Sequence, residues 1–229
     1  MSKKRLVKKK ANTEQSTRII QYVAGGVVAL VVILFAWQFI PKQSTAQSSL
    51  VCESFADIPA TAQYDAAPPL MVDAATKYLA TVTMENGGEF VMELYPDKAP
   101  ITVNSFVFLS CKGFFDGVTF HRVLDGFMAQ GGDPDGTGGG GPGYQFVNED
   151  SDLTFDKDGV VAMANAGRDT NGSQFFITYG AQEFLNGGYT IFGQVIEGMD
   201  VVNALTRRDP EQSPTFEGDK IKSIVIAEG

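Results

Sequence analysis

In 229 residues the sequence has one histidine, one tryptophan and two cysteines. The lone histidine, His121, excludes the clustered imidazoles that build most metal centres, and no Ser or Cys is evidently paired with it as a nucleophile. Two cysteines, Cys52 and Cys111, are too few for a tetrathiolate zinc site or a scaffold held by several bridges. No internal repeat is present. Acidic residues outnumber basic ones, 27 to 18, for a formal charge of −9. The imbalance is uneven: residues 1–18 carry seven Lys/Arg against Glu14, or +6, leaving 11 basic and 26 acidic residues, or −15, in the rest. The phosphates of a nucleic acid would repel a globular part so acidic, so no nucleic-acid partner is expected.

What the chain does have is one long apolar run. Ile19–Ile40 contains no charged side chain, and its 22 residues match a hydrocarbon core of roughly 30 Å at about 1.5 Å per residue. Trp37 sits where an interfacial anchor belongs, and Pro41 stops the helix. Cations gathered on the N-terminal side predict a single-pass protein of the cell membrane with a cytoplasmic N-terminus and everything after Lys42 outside. A basic tail on so short an anchored chain points to a bacterial source. A basic arm for nucleic acid explains the tail less well. The rival reading is a cleaved signal peptide, with small residues at Ser44-Thr45-Ala46, but such peptides have an apolar region of only about 7–15 residues.

The expected organisation is therefore a basic tail at 1–18, a transmembrane helix at 19–40, a linker and extended lead-in at 41–76, and a globular domain at 77–229. The lead-in contains Pro59, Pro68 and Pro69, shows little periodicity, and is expected to lie over the domain. An oxidising compartment would permit Cys52 and Cys111 to pair and pin it there; the alternative is two unrelated thiols.

Within the domain, Tyr78–Met84 and Glu89–Tyr95 alternate in polarity around Asn86-Gly87-Gly88, a strong hairpin signal. Pro100 to Cys111 has apolar residues at helical spacing. Short strands are expected near 118–124, 127–130, 159–164, 173–178, 190–195 and 221–226, with a second helix near 198–207. Many short strands with Gly-rich turns and two helices predict a mainly β domain, a closed antiparallel barrel with helices covering its ends.

Residues 120–133 read FHRVLDGFMAQGGD. A permanently charged guanidinium (Arg122), two large apolar side chains (Phe127, Met128) and an amide (Gln130) fall within nine residues, where a hairpin lets them share a face. Together with MANAGRDTNGSQFFIT at 163–178 and FGQVIEGMDVV at 192–202, this stretch resembles the cyclophilin family of peptidyl-prolyl cis-trans isomerases, from about Tyr78 to the C-terminus. The resemblance implies an eight-stranded barrel and a catalytic role for Arg122. It implies a proline pocket of Phe127, Met128, Phe176 and Leu185. Gln130 would orient the arginine and contact the substrate carbonyl, and Asn165, between Ala164 and Ala166, would clamp the backbone before the proline. Gln174 and Gly136 would line the neighbouring cleft. Phe184 and Tyr189 stand where many members carry tryptophan and histidine; both would touch ligand without acting in the isomerisation step. Loss of the indole N–H at 184 argues against binding of cyclosporin. His121 is read as a supporting wall residue.

No cofactor or metal is expected, and the partners are proline-containing flexible polypeptides met by a monomer. The leading reading is an isomerase of extracytoplasmic polypeptides during folding. The alternative is a non-catalytic proline-binding chaperone or scaffold using the same groove. A hydrolase lacks a nucleophile. Other patterns are set aside. Gly138–Gly143 satisfies GxGxxG, but no helix follows it, so it reads as a mobile loop. Asp133-Pro134-Asp135-Gly136 opens like a calcium loop without the later ligands and reads as solvated turn carboxylates. Asn171-Gly172-Ser173 is a glycosylation sequon inside the second motif, where a glycan would block the site.

Overall fold

The structure, a computed structural model, describes residues 50–229. The predicted basic tail and transmembrane segment lie outside them. Among the described residues no helix is long and apolar enough to cross a membrane.

Eight antiparallel strands form one curled sheet: β1 (Tyr78–Met84), β2 (Glu89–Leu94), β3 (Arg122–Leu124), β4 (Met128–Gly131), β5 (Asp158–Met163), β6 (Phe175–Tyr179), β7 (Ile191–Glu197) and β8 (Ile221–Glu228). Their order is β3-β4-β6-β5-β7-β2-β1-β8. The β1–β2 hairpin is as the alternation predicts, pairing Tyr78 with Leu94 through Thr83 with Glu89. Its turn requires Gly87 at φ +85°, a conformation that L side chains rarely adopt.

The expected closed barrel needs correction. The end strands β3 and β8 share no ladder. Instead the segments leading into them meet: Gly117 N donates to Ile221 O (2.8 Å), Ile221 N to Val118 O (2.9 Å) and Phe120 N to Asp219 O (2.9 Å). The free edge of β3 is taken by Arg208, which exchanges two backbone hydrogen bonds with Val123. The sequence suggested a strand over 118–124, but only its last three residues are laddered, because residues 117–120 turn away to meet 219–221.

Helix α2 (Pro100–Cys111) has the predicted bounds, and every residue from Thr102 to Ser110 is buried. A helix buried all round needs cover on both sides. On one side Phe106 packs on Phe175 (5.6 Å between centroids) and Phe192 (5.3 Å) of the sheet. Each fully buried phenylalanine contributes about 1.5–3 kcal/mol. The other side is covered by the lead-in, whose Phe55 and Tyr64 rings lie 5.2 and 4.9 Å from Phe108. Asn104 also accepts from Met71 N and Val72 N. The lead-in therefore lies over the domain as expected, with one amendment: Leu50–Ser54 forms a short helix, α1. Cys52 in α1 and Cys111 at the end of α2 are joined in a disulfide, Cα to Cα 5.3 Å. The second predicted helix is shorter than expected, α3 at Met199–Asn203, and two 3-10 turns, Glu183–Leu185 and Pro210–Gln212, went unforeseen.

Candidate active site

Strand alternation separates two apolar clusters. Ala129, Phe175 and Ile177 belong to the main core, whereas their neighbours Met128 and Phe176 join Leu185 in a smaller cluster on the opposite face of the sheet. The site is built on that second face. Across β3, β4, β6 and β5, Arg122 pairs with Gln130, Gln130 with Phe176, and Phe176 with Ala162. Residues directly opposite in a ladder share a face, so the cation, amide and ring form one row, with Met128 two residues along from Gln130.

These side chains line a cleft of about 170 Å³ with Phe127, Leu185, Tyr189, Ala164 and Asn165. The Arg122 guanidinium carbon lies 5.8 Å from the centre of the Phe127 ring. Among the described residues no carboxylate pairs with Arg122; the nearby Asp125 is held instead by Arg207 at 3.0 Å. The floor is firm: Phe155 stacks on Phe176 (5.7 Å, 16°) and Tyr189 meets that ring edge-on (5.5 Å). Asn165 is fixed by donating to Gly188 O and accepting from Gly167 N.

A larger cleft of about 620 Å³ adjoins it, sharing Gln130, Ala164 and Asn165 and lined further by Ala166 and Gln174. Gln130 donates to Gln174 (2.9 Å), so its amide is braced from the cleft side, and no hydrogen bond joins it to Arg122 among the described residues. Gln174 in turn donates to Gly138 O and Gly140 O. The glycine stretch read as mobile is thus tied by side chains on two sides, since Gln63 of the lead-in donates to Gly141 O.

Two expectations change, for Gly136 and Asp133, and Phe184 is placed at the rim. Gly136 does not line either cleft; an added Cβ there would meet Thr119 Oγ1 at 3.3 Å. Phe184 is 74% exposed and sits at the rim, 5.7 Å from Phe127, outside the pocket lining. Asp133 is no solvated turn carboxylate. It is fully buried and accepts backbone N–H groups from Asp135 (2.8 Å), Thr137 (3.0 Å) and Gly138 (2.5 Å). Burial alone would raise its pKa, but these donors, with Gly140 and the neighbouring His121, hold it below the ordinary carboxylate value.

His121 is a wall residue, 1% exposed, with neither ring nitrogen hydrogen-bonded among the described residues. Burial pushes its pKa down, and the Arg208 and Arg122 cations do the same against the pull of Asp133. Its backbone carbonyl accepts from Arg208, which also holds Phe216 O. The sequon residue Asn171 is fully buried, donating to Val147 O, and so closed to modification. Among the described residues no group of His, Cys, Asp and Glu could hold a metal.

Gln63, Tyr144 and Gln145 also line the larger cleft and were missed. The last two follow directly on the glycine stretch, a placement that could have marked them; Gln63 lies outside every motif. Burial pushes the Tyr144 phenol up to about 12 despite its bond to Ser105.

Comparison with known proteins agrees with this geometry. Residues 79–226 match the family model described as cyclophilin type peptidyl-prolyl cis-trans isomerase/CLD. Peptidyl-prolyl cis-trans isomerase B of Bacillus subtilis is 45% identical over 136 residues, 59% of this chain and 95% of that protein. Peptidyl-prolyl cis-trans isomerase A of Mycobacterium tuberculosis is 47% identical over 169 residues, 65% of this chain and 92% of the other. A crystal structure of a Cryptosporidium parvum cyclophilin type isomerase superposes with a TM-score of 0.61 at 35% identity, covering 67% of this chain and 99% of that one. The same protein, crystallised in the presence of the dipeptide Ala-Pro, superposes with a TM-score of 0.60. The chain belongs to the cyclophilin-type peptidyl-prolyl cis-trans isomerases.

Proposed function

We propose that this isomerase acts on X–Pro bonds of extracytoplasmic polypeptides as they fold, with Arg122 stabilising the twisted amide without covalent chemistry. The amide C–N bond resists rotation by roughly 18–20 kcal/mol because the nitrogen shares its lone pair with the carbonyl. At the half-rotated transition state that sharing is lost, and the prolyl nitrogen becomes a better hydrogen-bond acceptor. A guanidinium aimed at it then binds the twisted form more strongly than either planar form, which lowers the barrier. Phe127, Met128, Phe176 and Leu185 grip the pyrrolidine ring and exclude water, strengthening the bond. Asn165 holds the backbone ahead of the proline, and Gln130 takes the substrate carbonyl.

The single observation that carries this reading is Arg122 standing without an ion pair among the described residues, at the wall of a cleft that Phe127, Met128, Phe176 and Leu185 also line. The Ala-Pro dipeptide used with the Cryptosporidium relative supports proline peptides as the ligand class. The test is isomer interconversion of a proline peptide, followed by exchange spectroscopy, with the intact chain and with Arg122→Ala.

Location is part of the proposal. Residues 19–40 anchor the chain in the membrane with the N-terminus inside, and the monomeric domain works outside. The Cys52–Cys111 disulfide supports an oxidising compartment. Uncatalysed isomerisation takes tens to hundreds of seconds and limits folding, which gives an enzyme placed where chains emerge a clear use.

A further inference from the structure

The larger cleft has a wall that lies outside the matched family region. Gln63 belongs to the lead-in, ahead of residues 79–226, yet lines the cleft beside Tyr144, Gln145 and Gln174. Its seat is built rather than incidental. Gln63 Nε2 donates to Gly141 O (2.9 Å), and the next residue, Tyr64, donates its N–H to Pro142 O (2.8 Å). Gly143 makes room for this approach: at φ +95°, an added Cβ would stand 2.5 Å from Tyr64 O and 2.8 Å from Tyr64 N. Tyr64 itself is buried against Phe108. Upstream, the lead-in is fixed by the disulfide, by the fully buried Phe55, and by Lys112 Nζ donating to Phe55 O (2.6 Å).

The cleft is uncharged. Amides, hydroxyls and glycine backbone line it together with Pro142, Ala164 and Ala166, and no Lys, Arg, Asp or Glu does among the described residues. A charged side chain entering would lose water without meeting a counter-charge, whereas an amide or hydroxyl would find partners. The two clefts adjoin at Gln130, Ala164 and Asn165. In an extended peptide alternate side chains share a face, so a proline in the smaller cleft directs the side chain two residues before it into the larger one.

We propose that Gln63 is a specificity residue of this isomerase, reading the side chain two positions before the proline and favouring an uncharged hydrogen-bonding one. This rests on the reading that proline occupies the cleft of Arg122. Gln63 uses one amide N–H on Gly141 O, which leaves its second N–H and its carbonyl for the incoming side chain.

The test uses the full chain in detergent with acetylated peptides Xaa-Ala-Pro-Phe, where Xaa is Gln, Lys or Glu. Both kcat/KM and Kd are measured for wild type, Gln63→Glu and Gln63→Lys, with thermal midpoints confirming folding at this exposed position. Wild type is expected to favour the Gln peptide. The Lys-to-Glu preference should rise about five-fold in Gln63→Glu and fall about five-fold in Gln63→Lys, the size expected of a partly exposed charge pair. Preferences in both variants that stay within two-fold of wild type would overturn the role of Gln63. Kd keeps the two questions apart. Absent turnover in wild type would strike the isomerase reading alone, while the Kd ratios would still decide for or against Gln63.

Discussion

Arg122 opens β3 and Phe127 lies in the turn that joins β3 to β4, and the guanidinium carbon of the first lies 5.8 Å from the ring centre of the second. The pair keeps the charge at the cleft wall. An aromatic face attracts the cation by about 0.5–1 kcal/mol at exposed sites without consuming its hydrogen-bond donors, which a carboxylate would.

Replacing Arg122 by Ala should therefore lower kcat/KM by about 100-fold, the order expected when a charge-assisted hydrogen bond of about 1.5–3 kcal/mol is made chiefly in the transition state. Affinity for a proline peptide should stay within a few-fold. Arg122→Lys should recover little, because an ammonium lacks the rigid planar fork. Exchange spectroscopy gives the rates and calorimetry the affinities. Equal losses in both quantities would show that Arg122 merely binds.

The rim residue Phe184 offers no hydrogen-bond donor. Phe184→Trp should raise affinity for cyclosporin by up to about ten-fold, the worth of one added hydrogen bond. In a protein spanning residues 50–229 the new indole would be the only tryptophan, since Trp37 is the one in the sequence, so fluorescence titration reads binding directly. An unchanged affinity would place the drug's contacts elsewhere.

His121 sets a pH dependence of stability. Its pKa is lowered in the folded protein, first by burial, from an ordinary value of 6.5. Between the folded value and 6.5 the unfolded chain binds a proton that the folded chain does not, so stability rises with pH across that window. The contribution is complete above about 6.5 and is lost as the pH falls toward the folded value. Urea midpoints at pH 7.5 and 5.0 should drop more for wild type than for His121→Gln. Parallel drops would mean that other groups govern the acid limb.

The disulfide closes a separation of 59 residues, and chain entropy alone assigns such a bridge about 4 kcal/mol. In Cys52→Ser that loss should fall on docking of the lead-in rather than on the sheet, which the bridge does not join. Limited proteolysis should then cut between residues 55 and 72 while the fragment from 77 onward keeps its isomerase rate on small peptides. Simultaneous loss of the whole domain would show that lead-in and sheet fold as one unit.

Much of this molecule follows from local chemistry. The β1–β2 hairpin rests on strict alternation around an Asn-Gly turn, and α2 on Pro100 at its start and apolar spacing beyond, so both have essentially their predicted bounds. The row of Arg122, Gln130 and Met128 was legible because strand periodicity dictates which residues share a face, whereas Phe176 came from the family resemblance and joins that row through the ladder of β4 with β6. Contacts between distant segments were not legible. Whether β3 ladders with β8 depends on where residues 117–120 find partners, and those are Asp219 and Ile221, about a hundred residues away. Asp133 looked like a solvated turn because its four donors become donors only once the loop folds over it. Gln63 carried no signal at all: an exposed glutamine in a proline-spaced lead-in becomes a wall of the cleft only when Gly141 and Pro142 are brought beneath it. Periodicity and turn chemistry are properties of neighbours along the chain, so the sequence could express them. Edge closure, loop burial and the lead-in's seat depend on which remote backbone groups satisfy one another, and only the packed tertiary structure decides that.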